Sequence, residues 1–429
     1  MNGVAVLQSR WPRVGLGEAH LVPDRCIGRF GADGDAWVLE SSSSGTTAHG
    51  HGDPLGQLNR IIKELGCRHP DAGAVGYISY EAGYAWMNLD PPKMREDEFA
   101  IPQLQFLLFE ELKSEDARRG PNVPTPERKA YSREHMLAMT QSDRFRPTVT
   151  REKYLAAVGQ IQNHIRAGDI YQANYTQAFD IDTARPGVEI YRDLATANPA
   201  PFAAFLGFPA LSCESQAGKQ RRFPAIEVIS NSPERLWRKT GDSIETRPIK
   251  GTIARGDTSE VDRSNRRRLL TSHKDRAELL MITDLERNDL GRFAEIGSVR
   301  VRALRRARAY SSIWHLESVV SARVDASVPW DHIMRCMFPG GSITGAPKYR
   351  AMEILRDLEP VDRGVYCGAI GWVNGSGDAD FSIPIRTAVK IGSKVRVFGG
   401  GGIVADSDPE SEYEESLVKI APILEYLCR

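Results

Sequence analysis

The residues best suited to chemistry are one amine and a set of acids. In the run Arg247-Pro248-Ile249-Lys250-Gly251-Thr252, a lysine stands between a proline, which fixes its own φ and removes a donor, and a glycine, which lets the backbone turn or approach a ligand. A lysine whose pKa is lowered by burial or by a neighbouring cation can serve as nucleophile or base. Taken alone, a lysine in a Pro/Gly turn is more often a solvated loop residue. Toward the C-terminus Glu412, Glu415 and Lys419 fall at i, i+3 and i+7, so on a helix they share one face. Two carboxylates one turn apart can grip one divalent cation, and oxygen-only ligation that keeps waters in place suits Mg²⁺. A solvated Glu/Lys face has the same pattern. Glu278 is an acid embedded where the stretch Lys274–Met281 turns apolar, a position that an ordinary helix salt bridge would also explain.

Two glycine-rich stretches could receive anions. Gly399–Gly402 follow a predicted strand and precede Ile403-Val404; glycines let backbone N–H groups point together at an anion, and a flexible hairpin is the alternative. The run Pro339–Lys348 is superficially like a phosphate loop. It lacks Gly-Lys-Ser/Thr, and Pro347 precedes the lysine, so nucleotide binding is set aside.

Many short apolar runs with turn signals must position these groups. Strands are expected at Trp37–Ser41, Ala74–Tyr80, Leu104–Phe109, Ile170–Ile181, Phe202–Phe208, Ala225–Ser230, Ser243–Thr246, Ser298–Leu304, Ile313–Val324, Gly368–Asn374, Phe381–Lys390 and Lys394–Gly399. Helices are expected over Leu55–Leu65, from the cap Thr150 to Gly168, over Ser259–Leu285 with a break near Ser272, and from the cap Asp408 to Leu427. Tyr413, Leu417, Ile420, Leu424 and Leu427 form the core stripe of that last helix. Many strands with few long helices point to an α+β fold built on large antiparallel sheets. Residues 113–147 are polar and rich in proline, dividing an N-terminal region, 1–112, from 148–429 by a linker or surface excursion.

Composition narrows the function. The 429 residues carry 56 basic and 56 acidic side chains, which speaks against nucleic acid or an anionic membrane as the main partner. The basic runs Arg263–Arg268 and Arg300–Arg308 read as solvated faces. No apolar run reaches membrane-spanning length, no signal peptide is visible, and the six cysteines (26, 67, 213, 336, 367, 428) form no CxxC pair. A cytoplasmic protein with reduced thiols is the expectation.

Taken in order, Ser232-Pro233-Glu234-Arg235, the 247–252 run, Asp275-Arg276-Ala277-Glu278, Asp284–Gly291, Thr344-Gly345-Ala346-Pro347-Lys348, Ile385-Arg386-Thr387-Ala388, Gly400–Ile403 and Glu412–Lys419 resemble the motifs of the chorismate-utilising enzymes. The resemblance covers nearly the whole chain. It implies an anthranilate synthase component I-like fold, with two large antiparallel sheets face to face, helices outside and the site between them. It implies that Mg²⁺ is held by Glu278, Glu412 and Glu415, that Glu234 is the general acid, and that His315 lies near the ring, although a hydrogen-bonded core histidine looks the same. It places Gly251, Thr252, Ser342, Tyr366, Arg386, Gly400, Gly401, Gly402 and Lys419 around the substrate.

Position 250 separates branches of this family. Anthranilate, isochorismate and salicylate synthases resemble one another in carrying alanine there. Lysine, with Asn198-Pro199-Ala200-Pro201-Phe202, resembles the aminodeoxychorismate synthases, which make 4-amino-4-deoxychorismate for 4-aminobenzoate and folate through attack of the lysine on C2 of chorismate. The anthranilate branch is the alternative. The resemblance implies ammonia supplied by a separate glutamine amidotransferase subunit, since no glutaminase-like Cys/His pair is visible. Glu40, Ser41, Pro201 and Phe202 resemble the tryptophan pocket of the anthranilate branch.

Overall fold

In the computed structural model, which describes residues 4–8, 19–23, 26–41, 45–92, 97–116, 144–214, 220–310 and 313–427, two antiparallel sheets dominate. One has ten strands. Gly345–Ala346, Gln172–Asp182, Lys394–Ile403, Thr387–Ile391, Ile226–Ser232 and Phe202–Phe208 follow one another across it, and Val4–Gln8, Ala19–Pro23 and Leu112–Asp116 complete the path. The other has twelve. It begins with Ile249–Ala254, Ile313–Arg323, Ser243–Arg247 and Arg235–Thr240, passes through Ala379–Ser382, Ala369–Asn374, Gly73–Ile78 and Leu104–Phe109, and ends at Thr47–His51.

The sheets meet face to face as the resemblance implies. Val75, Tyr77, Leu107 and Phe109 of one interleave with Ala204, Leu206, Val228 and Val389 of the other. The six residues of Gly73–Ile78 are all buried, because helix Pro54–Arg68 lays Leu55, Leu58 and Ile62 against the opposite face. Side chains alternate across a strand, so burial of both parities requires cover on both sides. Helices also sheathe the ten-stranded sheet: Leu417, Ile420 and Leu424 of the last helix pack with Ile190 and Leu194 of helix Gly187–Ala197.

The helix boundaries follow their caps. Thr150 accepts from Lys153 N to open helix Arg151–Ala167, and Gly168, at φ 82°, ends it. Asp408 accepts from Ser411 N at 2.9 Å ahead of helix Pro409–Leu427. The long helical stretch is two helices, Ser259–Thr271 and His273–Gly291, with Ser272 ending the first and capping the second through Asp275 N. Tyr413 is only half-buried at the edge of its stripe.

Three expectations need correction. Phe381–Lys390 is not one strand: Ala379–Ser382 and Thr387–Ile391 belong to different sheets. Pro384 offers no donor and Arg386 sits at φ 53°, so no ladder continues through them. Gly399–Gly402 do not follow the strand but continue it, pairing with Asn174–Gln177. The strand after Gly297 runs Arg300–Ala309 rather than stopping at Leu304, with two register shifts and Arg305 at φ 56°.

The ends of the polar stretch are tied into a sheet. Leu112–Asp116 pairs with Ala19–Pro23 and Arg146–Pro147 with Phe179–Asp180; residues 117–143 lie outside the described residues, as do 42–44 of the serine-rich turn. Strands from both sides of the stretch share both sheets, Val4–Gln8 beside Phe202–Phe208 and Gly73–Ile78 beside Ala369–Asn374. Cys26, Cys67, Cys213, Cys336 and Cys367 are free thiols. No helix among the described residues is long and apolar enough to cross a membrane.

Candidate active site

Lys250 lies where the strand Ile249–Ala254 meets the glycine-rich strand of the opposite sheet. Its position is set by a bulge: Lys250 pairs with Leu316 and Thr252 with His315, leaving Gly251 unpaired at φ 74°. A Cβ on Gly251 would stand 2.8 Å from Asp275 Cγ and 2.9 Å from Leu269 Cδ1, so glycine is required twice over. The amine donates to Ser342 O at 3.3 Å and lies 3.9 Å from Glu278 Oε2. Burial pushes its pKa below the usual lysine range, against the opposing pull of Glu278 and Glu234. The solvated-loop alternative for Lys250 is thereby removed.

Glu234 is 3% exposed, in the short link between strands Ile226–Ser232 and Arg235–Thr240. It accepts from Ile249 N at 3.3 Å, one residue from the amine. Burial raises its carboxyl to about 7, so near neutrality it holds a proton that it can give away. Ser342 and then the charge of Lys250 oppose that rise, although the buried Ser342 Oγ makes no hydrogen bond of ordinary geometry.

His315 contacts Thr252 Oγ1 through Nδ1 at 2.9 Å, and its ring meets Tyr310 edge-on at 4.9 Å. Burial, and after it the charge of Arg386, lowers its pKa to about 3. The ring is neutral, and its buried Nε2 has no partner. Arg386 is half-buried, and burial lowers its pKa. It makes no ion pair among the described residues, which leaves a guanidinium ready for a carboxylate. Tyr366 stacks on Phe398 at 5.0 Å, immediately before the glycine run, and burial holds its hydroxyl protonated.

The glycine run is tight on both faces. A Cβ would stand 2.4 Å from Ser416 O at Gly399, 2.4 Å from Tyr175 O at Gly400, and 2.4 Å from Gln172 Nε2 at Gly402. At Gly401 it would stand 3.1 Å from Glu412 Oε2, and at Gly402 it would also come within 3.5 Å of Lys250 Nζ. The glycines therefore bring two elements and the amine together. Beyond Val397 the strand keeps its ladder to Gln172–Asp182 but no longer pairs with Thr387–Ile391, so alternate amides face away from the ladder.

The last helix delivers its polar face as its spacing implies. Lys419 donates to Gly400 O at 2.9 Å and lies 2.8 Å from Glu415 Oε1; that lysine holds Glu415 below the usual carboxylate range. Glu412, 4% exposed, accepts from Ser407 Oγ at 2.7 Å and lies 3.5 Å from Lys274 Nζ. Burial raises Glu278, whose Oε1 is buried without a partner. Among the described residues no group of three Asp, Glu, His or Cys side chains is gathered closely enough to hold a metal ion, and each of the three glutamates leans on its own lysine. The donor chemistry still suits a hard divalent cation: the set is all carboxylate, with an orphaned oxygen on Glu278.

Several contributors escaped the sequence reading. Gln172 is fully buried, both its amide atoms lack partners, and Nε2 points toward Gly402. Its only sequence signal is a polar residue at the head of an apolar strand. Behind the site, Glu286 accepts from Gly341 N and Thr246 Oγ1, and Arg363 donates to Ile343 O at 2.8 Å and Asn174 O at 2.6 Å. These bonds hold the turn whose Ser342 carbonyl receives Lys250. Lys348, the lysine of the apparent phosphate loop, is instead buried and paired with Asp289 at 2.7 Å.

The four residues that resemble a tryptophan pocket lie on strand Ala36–Ser41 and at the start of strand Phe202–Phe208. Glu40 takes the fork of Arg29, which also donates to Pro209 O and Ala210 O; Ser41 N donates to Thr46 O. Phe202 lies 5.0 Å beneath Arg235, and with Pro201 it lines a cavity whose walls include neither Glu40 nor Ser41.

Residues 25–425 match the chorismate-binding enzyme family, and the chain belongs to it. The chain is 34% identical to aminodeoxychorismate synthase component 1 of Escherichia coli, over 91% of this chain and 85% of that one. It is 36% identical to an anthranilate synthase component 1 of Haloarcula marismortui, over 81% of this chain and 74% of that one. The fold is that of anthranilate synthase component I from Streptococcus pneumoniae, with a TM-score of 0.73 at 24% identity, covering 96% of this chain and 93% of that one.

Proposed function

We propose that this chain is the chorismate-aminating subunit of an aminodeoxychorismate synthase, converting chorismate and ammonia to 4-amino-4-deoxychorismate for 4-aminobenzoate and folate synthesis. The observation that carries this reading is the buried Lys250 amine, its pKa lowered, one residue from the amide that binds Glu234. The relatives alone do not choose, since both branches match at similar identity.

In the proposed reaction the neutral Lys250 amine attacks C2 of chorismate. The ring double bonds shift, and the C4 oxygen leaves as water with the proton of Glu234. Ammonia then forms a bond to C4, the double bonds shift back, and the C2–N bond to Lys250 breaks. Arg386 and Lys419 supply cations for the substrate carboxylates, with Tyr366 and the amides of Gly400, Gly401 and Gly402 beside them. Gly251, Thr252, Ser342 and the neutral His315 border the ring. Glu278, Glu412 and Glu415 would hold Mg²⁺, which would neutralise a substrate carboxylate and make the hydroxyl easier to expel. A glutamine amidotransferase subunit would supply the ammonia.

The test is the product formed from chorismate, ammonium and Mg²⁺ by the purified chain. Aminodeoxychorismate without fluorescent anthranilate supports the reading; anthranilate as the main product places the chain in the other branch.

A further inference from the structure

The three glutamates assigned to a divalent cation come from two helices, Glu278 from His273–Gly291 and Glu412 and Glu415 from Pro409–Leu427. One further side chain reaches from the first helix to the second. Lys274, a turn ahead of Glu278, lies 3.5 Å from Glu412 Oε1. Burial weighs against its ammonium, and the charges of Glu412, Glu278 and Glu415, in that order, outweigh it. Lys274 is likewise among the cations that act on Glu278 and on Glu415. All three acids therefore bear on one ammonium.

Helix stability does not explain this residue. A lysine in a first turn faces the positive end of the helix dipole, and lysine ahead of glutamate at i, i+4 is the weaker order for a helix ion pair. Nor is Lys274 fastened like its neighbours. Lys250 donates to Ser342 O and Lys419 to Gly400 O, with side chains 13% and 42% exposed. The Lys274 side chain is 55% exposed, and its contact with Glu412 is longer than an ordinary hydrogen bond. An ammonium shared among acids and open to water is one that a hard dication can displace from carboxylate oxygens.

We propose that Lys274 is the resident counter-cation of the divalent-ion site: in the metal-free chain its ammonium holds Glu412 and screens Glu278 and Glu415, and it withdraws into solvent when a divalent cation takes those carboxylates. This role depends on the three glutamates being metal ligands, but not on the reaction assigned to Lys250.

The experiment is calorimetric titration of the full chain with Mg²⁺, without chorismate, for the wild type, Lys274→Met and a control, Lys63→Met, on an exposed position of helix Pro54–Arg68. Loss of a half-exposed competitor should tighten Mg²⁺ binding roughly two- to fivefold in Lys274→Met and leave it unchanged in the control. Metal-free Lys274→Met should also melt below the wild type, and saturating Mg²⁺ should close that gap. A third readout needs no variant: acetylation of the wild type, followed by peptide mass spectrometry, should label Lys274 faster as Mg²⁺ is added. Mg²⁺ binding that Lys274→Met leaves unchanged or weakens, or labelling that stays level or falls, would overturn the role of Lys274 alone. Absence of Mg²⁺ binding in the wild type would overturn it together with the metal assignment of the three glutamates.

Discussion

Replacing Glu234 with Gln separates stability from catalysis in a way that depends on pH. The carboxyl is raised from the usual 4.5 to about 7 by burial. Between those two values the folded chain binds a proton that the unfolded chain releases. The stability linked to it is complete below about pH 4.5 and is lost as pH rises through about 7. A rise of that size corresponds to about 3 kcal/mol. Gln is neutral at every pH, so the stability difference between Glu234→Gln and the wild type should move by about 3 kcal/mol in the variant's favour from pH 4.5 to pH 8. Urea unfolding at several pH values measures it. Glu286, raised to about 8 by burial and then by Asp289, titrates in both proteins and cancels in the difference. Wild-type kcat/KM should fall above about pH 7 as the acid ionises, while the variant should have little activity and no such limb. A stability difference that stays flat across this range would mean that Glu234 titrates as an ordinary carboxylate, and its role as acid would lose its physical basis.

Other perturbations follow from the same geometry. Gly402→Ala places a methyl 2.4 Å from Gln172 Nε2, a side chain able to swing, and 3.5 Å from Lys250 Nζ; kcat/KM should fall at least about tenfold while stability, by urea unfolding, drops by only about 1–3 kcal/mol. Asp289→Asn should cost about 3–5 kcal/mol by unmaking a buried ion pair, and Asp289→Leu combined with Lys348→Met should recover much of that loss. Removal of divalent ions with EDTA should abolish turnover and added Mg²⁺ restore it, with Glu278→Gln raising the Mg²⁺ concentration needed for half-maximal rate.

Much of this arrangement was legible in the sequence because it is local. Caps at Thr150, Gly168 and Asp408, and the i, i+3, i+7 face of the last helix, follow from residue types and helical period alone. The break at Ser272 was marked by a residue that can cap as well as terminate. What could not be read depends on partners far along the chain. Phe381–Lys390 is apolar enough for one strand, and only the tertiary demand on Arg386 turns it between two sheets at positive φ. Gly399–Gly402 suggested an anion loop, but they are glycines because Ser416 of the last helix and Tyr175 and Gln172 of the neighbouring strand press on them. The family resemblance supplied the acids and cations; it did not indicate that Glu278, Glu412 and Glu415 would each face a lysine, nor that Gln172 would be left unpartnered beside them.

The central claim is that the Lys250 amine becomes covalently joined to the substrate. Intact-mass measurement of the protein mixed with chorismate and Mg²⁺, without ammonia, tests it directly. The wild type should gain the mass of chorismate less one water, and Lys250→Ala should gain none. An adduct that persists in Lys250→Ala would contradict it.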